Sequence, residues 1–161
     1  MRCDTKKFAG MYEGIYIDLY RFSLCMMKNE QDAEDAVSDA VLAAYENIHK
    51  LRDENAFKNW MFQILSNTCR RKLKEEGHRK KTETGESEEE LAHSEEHPDY
   101  GLALDVRNAF FILSEEEQEI VALSVFGGYN SKEIAAMLKL NANTVRSKRS
   151  RALSKMECVL Q

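Results

Sequence analysis

A cluster of cations near the end of the chain is the feature best suited to chemistry with nucleic acid. Five Lys and Arg side chains fall within one predicted helix, and no acid follows them before Glu157: Arg146, Lys148, Arg149, Arg151 and Lys155. Such side chains pair with phosphates and reach base edges in a DNA groove. We therefore expect a DNA-binding helix here, while a helical hairpin with a charged outer face stays open as the alternative.

Two shorter helices precede this basic helix and would position it. Ser114 and Glu117 have the spacing of a capping box, in which each side chain bonds the other residue's backbone N–H group. Gly127–Gly128 ends that first helix, because glycine adopts left-handed dihedral angles without a Cβ penalty. Asn130 and Glu133 repeat the capping spacing, and a polar turn separates their helix from the basic one. The pattern predicts a helix-turn-helix.

Charge is divided unevenly along the chain, whose formal net charge is −5. Residues 70–81 contain seven Lys or Arg and two Glu, whereas residues 82–100 contain eight acids and neither Lys nor Arg. The acidic stretch has low hydrophobicity and the only proline, so we predict a disordered tether there. The basic stretch exceeds what a helix end requires and favours a second contact with nucleic acid.

The first half of the chain is predicted to be helical throughout. Apolar side chains recur every three or four residues over residues 5–28, which predicts one amphipathic helix. Asn29 is a plausible N-cap for a second helix, and a third begins at about Ala56 with Phe57 and Trp60 on its inner face. With one proline and seven glycines in 161 residues, the composition favours an all-α fold.

Several classes of protein find no support in the sequence. No apolar stretch has the length of a signal peptide or a membrane span, so we expect a cytoplasmic protein without membrane insertion. No nucleophile with a base, glycine-rich phosphate loop or paired acids indicates an enzyme, and we expect no cofactor and no metal. The four cysteines lack the spacing of a disulfide framework or a zinc site: Cys3, Cys25, Cys69 and Cys158.

Three segments in collinear order resemble bacterial sigma factors of the extracytoplasmic-function (ECF) class, in the sigma-70 family. The sequence DAEDAVSDAVLAAYENIHKL resembles region 2.2, NAFKNWMFQILSNTCRRKLK resembles regions 2.3 and 2.4, and TVRSKRSRAL resembles the recognition helix of region 4. The resemblance implies an all-α fold with a region 2-like helical bundle and a region 4-like helix-turn-helix domain joined by a flexible acidic linker. The corresponding boundaries are 1–76, 77–101 and 102–161.

The resemblance also implies roles for individual residues. Acidic and polar positions of the second helix would face core RNA polymerase: Glu34, Asp35, Ser38 and Asp39. Contacts with the −10 promoter element, including a flipped base and melted strand, would come from Asn55, Lys58, Trp60, Asn67, Arg70, Arg71 and Lys72. Contacts with the −35 element would come from Lys132, Asn143, Thr144, Arg146, Ser147, Lys148 and Arg151. Asparagine suits base reading because its amide both donates and accepts hydrogen bonds.

The partners implied by the family are core RNA polymerase, through its β′ clamp helices and β flap, promoter DNA and an anti-sigma factor, with no small-molecule substrate. Two positions depart from the family pattern. Arg71 stands where an acid is frequent, and Arg149 stands in helical phase with Val145 and Ala152, where an apolar residue is frequent. Arg149 either reaches out to a phosphate or indicates a slightly rotated helix.

Two other functions remain as alternatives. A stand-alone transcription regulator would use only the C-terminal helix-turn-helix, with residues 1–75 for dimerisation or sensing, and would leave Asn67 and the cations after it without a role. A small helical enzyme or metal-binding bundle would need converging ligand pairs on facing helices, which the sequence lacks. The tether permits many arrangements of the two domains, so the sequence leaves their relative placement open.

Overall fold

The computed structural model describes residues 5–82 and 104–160, and the acidic tether predicted at 82–100 lies almost entirely outside them. The all-α prediction is confirmed for the described residues. None of the described helices is long and apolar enough to cross a membrane. The α-helices are α1 Thr5–Glu13, α2 Tyr16–Met26, α3 Glu30–Glu46, α4 Phe57–Thr82, α5 Leu104–Phe111, α6 Glu115–Val125, α7 Ser131–Leu138 and α8 Ala142–Leu160.

The single helix predicted over residues 5–28 is wrong, because α1 and α2 are separate. The backbone turns at Gly14 and Ile15: Ile15 has φ −124° and ψ 5°, and its N–H donates to the Tyr12 carbonyl at 3.0 Å. Glycine is unfavourable inside a helix, so the chain breaks at Gly14 at little cost. The apolar stripe still faces inward, since Phe8 of α1 and Phe22 of α2 are both buried.

Small side chains let α3 pack closely between α2 and α4. Asn29 caps α3 as predicted, its side chain accepting a hydrogen bond from the Asp32 N–H at 2.8 Å. Ala33, Ala40 and Ala44 are fully buried along the inner face. After two single turns of 3₁₀ helix, at Ile48–Lys50 and Glu54–Ala56, α4 runs to Thr82. It therefore continues past residue 76, and the domain boundary there stays a prediction.

The C-terminal helices form the predicted helix-turn-helix, and both capping boxes are present. Ser114 and Glu117 cap α6, and Asn130 and Glu133 cap α7. Gly128 has φ +74°, which supplies the reversal after α6. The second turn uses Lys139, whose φ of 60° is unusual for a residue other than glycine. Buried side chains anchor α8 on the other helices: Val145, Ala152 and Met156.

The two helical domains pack against each other and share a continuous apolar core. The Phe62 ring of α4 meets the Tyr129 ring edge-on, with centroids 5.8 Å apart. Arg107 of α5 donates from Nη1 to a Glu30 carboxylate oxygen at 2.9 Å. Helix α2 lies against both α5 and α6. The sequence leaves the relative placement of the two domains open, and in this structure the domains are packed together in a closed arrangement.

Candidate polymerase and DNA interfaces

The four residues expected to face polymerase lie together on the outer side of α3. We call Glu34, Asp35, Ser38 and Asp39 the acidic face, and all four are exposed. Their spacing puts Glu34 above Ser38 and Asp35 above Asp39, one helical turn apart. Two exposed apolar side chains, Leu42 and Tyr45, continue along the helix at a similar spacing. These two were not predicted, although their three- and four-residue steps from the acids are a readable signal.

The basic end of α4 presents an exposed amide among cations. We call Asn67, Arg70, Arg71 and Lys72 the α4 basic face. Arg70 Nη2 donates to Asn67 Oδ1 at 2.8 Å, so guanidinium and amide are held side by side. Lys72 Nζ lies 2.8 Å from Asp39 of the acidic face, and Arg71 lies 3.9 Å from Glu75 on its own helix. Arg71, which stands where the family pattern frequently has an acid, thus forms a weak ion pair with the acid one turn later.

The other residues expected at the −10 element lie at or before the beginning of α4. Asn55 is exposed in the preceding turn, where its backbone N–H donates to Asp53. Trp60 is half-buried, with its ring 6.3 Å from that of Phe57. Asn67 comes seven positions after Trp60, so the two share one side of α4 at a rise of roughly 10 Å. Lys58 extends over the Tyr129 ring of the other domain, 5.2 Å from its centroid.

An acid from the second domain contacts the α4 basic face. Arg70 Nε donates to both carboxylate oxygens of Glu119, at 3.0 and 3.2 Å, and Ser66 Oγ donates to the same carboxylate. Ser66 is fully buried and the Glu119 side chain is only 5% exposed. Neither residue was predicted to have a role. Their contact joins residues far apart in sequence, and nothing in the sequence indicates the pairing.

The first half of α8 presents the residues expected at the −35 element. Asn143, Arg146, Ser147 and Arg151 are exposed, while Thr144 and Lys148 are half-buried. Arg146 Nη2 donates to Asn143 Oδ1, which orients both side chains. Lys148 Nζ lies 3.0 Å from Glu116 of α6. Lys132 is exposed at the beginning of α7, the first helix of the helix-turn-helix. Helix α8 therefore offers donors and cations to a groove.

The Arg149 side chain binds α6 of its own domain. Its Nη1 donates to Ser124 Oγ of α6 at 3.3 Å, and the side chain is half-buried. Val145, Ala152 and Met156 remain buried, so α8 has the phase that the apolar pattern predicts and is not rotated. The domain thus accommodates an arginine where the family frequently has an apolar residue, because the long Arg149 side chain lies along the core and its guanidinium binds α6.

One buried acid and one buried phenol around the helix-turn-helix have shifted pKa values. The Ser114 backbone N–H lowers the pKa of Glu117, opposed by burial and reinforced by Lys155, whose Nζ lies 3.0 Å away. Burial raises the pKa of Tyr129 to about 12, and the charge of Glu133 adds to the effect. At neutral pH the ring beneath Lys58 is therefore a neutral phenol, which suits a cation–π contact.

The fold and these surfaces define a two-domain helical protein with a DNA-binding helix-turn-helix, and comparison with known proteins gives its family. Residues 11–79 match the model of sigma-70 region 2, and residues 105–156 match the model of sigma-70 region 4. Together the two matches cover most of the chain. The chain belongs to the sigma-70 family, in the extracytoplasmic-function class.

Individual relatives agree with this assignment. The chain is 25% identical to the ECF sigma factor SigM of Mycobacterium tuberculosis over 98% of this chain and 79% of SigM. It is 28% identical to SigV of Bacillus subtilis over 89% of this chain and 84% of SigV. Among solved structures, RpoE of Bartonella quintana in complex with the anti-sigma factor NepR matches with a TM-score of 0.84. That match has 25% identity and covers 97% of this chain and 98% of RpoE.

Proposed function

We propose that this chain is a promoter-specificity subunit, which binds core RNA polymerase, recognises −10 and −35 elements and stabilises melted DNA. A promoter-specific sigma role follows from the family, whose members are initiation subunits and not enzymes. The assignment of each step to particular residues is our proposal. We place its action in the cytoplasm, with the polymerase.

The observation that carries the −35 assignment is the exposed first half of α8. Arg146 and Asn143 are exposed and hydrogen-bonded to each other, while the opposite side of α8 is anchored through Val145 and Ala152. Rigid anchoring on one side and exposed donors on the other is the arrangement by which a recognition helix reads a major groove. Lys132 and Lys148 would then pair with flanking phosphates.

The α4 basic face supports a role at the −10 element. The Asn67 amide is exposed beside Arg70, and the half-buried Trp60 lies two turns away on the same side of α4. An amide can bind a base edge, an indole can stack on an unpaired base, and the adjacent cations can hold a single-stranded backbone. Arg71 and Lys72 extend the positive charge along the surface that would hold the single DNA strand.

The acidic face of α3 supports polymerase binding, because exposed carboxylates with adjoining apolar side chains suit a basic partner surface. Asp35 and Asp39 would pair with cations, while Leu42 and Tyr45 would be buried on docking. An anti-sigma factor is a further proposed partner, since RpoE, the structural relative above, was crystallised with one. This face and the α4 basic face are surfaces that such a protein would cover.

Run-off transcription with purified core polymerase and a promoter library tests the proposal. We expect Arg146→Ala to relax −35 selectivity and Asn67→Ala to impair the steps that need melted DNA. Lys6→Ala, which removes an exposed cation of α1, is the matched control and should behave as wild type. Selectivity unchanged by Arg146→Ala would contradict the assignment of α8.

A further inference from the structure

We propose that the first two turns of α1 position Asn55 for base recognition, with Lys7 and Phe8 as positioning residues of the −10 site. The inference rests on the proposed function, because it assumes that Asn55 contacts the −10 element. It gives a role to a part of α1 that precedes residue 11, where the match to sigma-70 region 2 begins.

Asn55 lies in a short turn that needs support from other elements. The turn is a single turn of 3₁₀ helix, Glu54–Ala56, between the buried Leu51 and the beginning of α4. Within it, Asp53 accepts from the Asn55 N–H at 3.0 Å and from the Ala56 N–H at 2.9 Å. These bonds fix the local shape of the turn, but not its place on the domain. A side chain that binds a base must be held to within roughly 0.5 Å.

Two consecutive residues of α1 contact this turn and the helix that follows it. Lys7 Nζ forms an ion pair with the carboxylate of Glu54, the residue just before Asn55. The buried Phe8 ring meets the Phe57 ring edge-on, with centroids 5.6 Å apart and planes at 90°. Because Phe57 comes two positions after Asn55, α1 holds the chain both before and after the amide.

The same part of α1 is anchored on α3. The hydroxyl groups of Thr5 and Tyr45 are hydrogen-bonded at 2.7 Å. The Phe8 ring also meets the Tyr45 ring edge-on, at a centroid distance of 5.2 Å. Edge-to-face contacts constrain the orientation of the rings in addition to burying apolar area. The Asn55 turn is therefore tied through α1 to the end of α3.

The support extends to the indole expected at the −10 element. The Phe57 ring lies 6.3 Å from the ring of Trp60, so Phe8, Phe57 and Trp60 form a row of rings at the beginning of α4. A shift of Phe8 would therefore move the surroundings of the amide and of the indole together. The two groups need a fixed separation if both are to contact one unpaired base.

The ion pair allows positioning to be separated from stability. The side chains of Lys7 and Glu54 are 42% and 47% exposed, so their attraction adds little to the free energy of unfolding. Lys7→Met keeps most of the aliphatic chain and removes the charge, so it should leave the fold intact and release the turn. Lys7→Arg keeps the pair and should behave as wild type. Lys6→Met is the matched control, because it removes the neighbouring exposed cation.

The first arm of the experiment measures initiation by core polymerase with the full chain on promoters whose −10 positions are randomised. Asn55→Ala identifies the position that Asn55 reads. There, Lys7→Met should lower the preference for the best base roughly threefold, with the thermal midpoint and the other positions unchanged. Lys7→Glu combined with Glu54→Lys restores the pair at the same net charge and should recover the preference. Equal preferences in Lys7→Met and Lys6→Met would overturn the proposal, while a loss in Asn55→Ala would show that the −10 assignment still holds.

The second arm tests Phe8 against another buried ring of the same domain. Phe8→Leu and Phe22→Leu each replace a buried ring by a smaller apolar side chain, and the Phe22 ring meets Phe62 of α4 edge-on at 5.8 Å. Both variants should lower the thermal midpoint, but only Phe8→Leu should reduce the base preference at the position that Asn55 reads. Equal preferences in the two variants would overturn the proposal.

The same measurements separate this inference from the proposed function. If Asn55→Ala changes no −10 preference while the wild-type chain still directs promoter-dependent initiation, the inference fails and the sigma function holds. If the wild-type chain directs no initiation at any promoter, the proposed function fails and the inference fails with it.

Discussion

Arg149 Nη1 lies 3.3 Å from Ser124 Oγ, so one cation of the DNA-binding helix is bound to its own domain. Two more of the five clustered cations also contact α6, since Lys148 pairs with Glu116 and Lys155 pairs with Glu117. The positive charge of α8 thus divides into side chains available to DNA, such as Arg146, and side chains that brace α8 against α6, such as Arg149. Charge alone does not distinguish the two.

Arg149→Met should therefore leave DNA binding nearly intact. The flexible apolar side chain can occupy the same half-buried space, and losing one long hydrogen bond should change the free energy of unfolding by no more than about 1 kcal/mol. Arg146→Met, by contrast, should weaken binding of a −35 duplex roughly tenfold or more. Fluorescence anisotropy and urea unfolding of both variants provide the comparison. A larger loss of duplex affinity at position 149 than at 146 would contradict this division.

The capping box at the beginning of α6 should contribute measurably to stability. Ser114 accepts from the Glu117 N–H at 3.1 Å, and the Glu117 carboxylate accepts from the Ser114 N–H at 3.0 Å. Ser114→Ala should lower the free energy of unfolding by about 1 kcal/mol. Ser154→Ala, in the exposed interior of α8, is the control and should be neutral or slightly stabilising. Chemical denaturation measures the free energy of unfolding of the two variants. Equal values would show that the capping box does not contribute to stability.

Glu117 should make the stability of the helix-turn-helix domain sensitive to acid. The hydrogen bond from the Ser114 backbone lowers the pKa of Glu117 from its ordinary value of 4.5, and Lys155 assists. A pKa that is lower in the folded state stabilises the protein above the unfolded value, and this stabilisation is lost as pH falls through the folded value. The deficit of Glu117→Gln against wild type should thus be full at pH 7 and shrink below about pH 4.5. Urea unfolding at both pH values measures it. A deficit independent of pH would exclude an ionic contribution.

Two of the cysteines should be almost inert to thiol reagents. Cys69 is fully buried, and burial raises the pKa of its thiol to about 12, while burial also raises the pKa of Cys25. Reaction needs the thiolate, which is scarce at neutral pH under these conditions. With Cys3 and Cys158 replaced by serine, the folded chain should react with a disulfide reagent only as fast as it unfolds. Rapid reaction of the folded chain would show that the core around α4 opens locally.

Local features were predictable from the sequence because their causes are local. The capping boxes of α6 and α7 and the N-cap at Asn29 follow from spacings of three residues, and all are present. The break at Gly14 was missed because the apolar stripe continues in phase across it and hides the turn. The left-handed residue at Lys139 has no signal, since glycine or asparagine is usual there.

Contacts between the domains were not predictable, because no local rule governs them. Ser66 and Glu119 lie 53 positions apart, on either side of the predicted acidic tether. Glu119 comes shortly after three acids in the first turn of α6, where the helix dipole favours acids. Nothing in the sequence therefore indicates that Glu119, unlike an ordinary surface acid, is buried. The exposed polar faces of α3 and α8 were predictable, since helical periodicity assigns each residue to a side.

The most direct test of the central claim is binding of the purified chain to core RNA polymerase, followed by run-off transcription on a promoter library. The sigma assignment predicts saturable one-to-one binding that confers promoter-dependent initiation. Asp35→Lys with Asp39→Lys should weaken that binding, while Glu115→Lys, outside the acidic face, should not. A chain that ignores core polymerase yet binds duplex DNA as a dimer would contradict the claim and favour a stand-alone regulator.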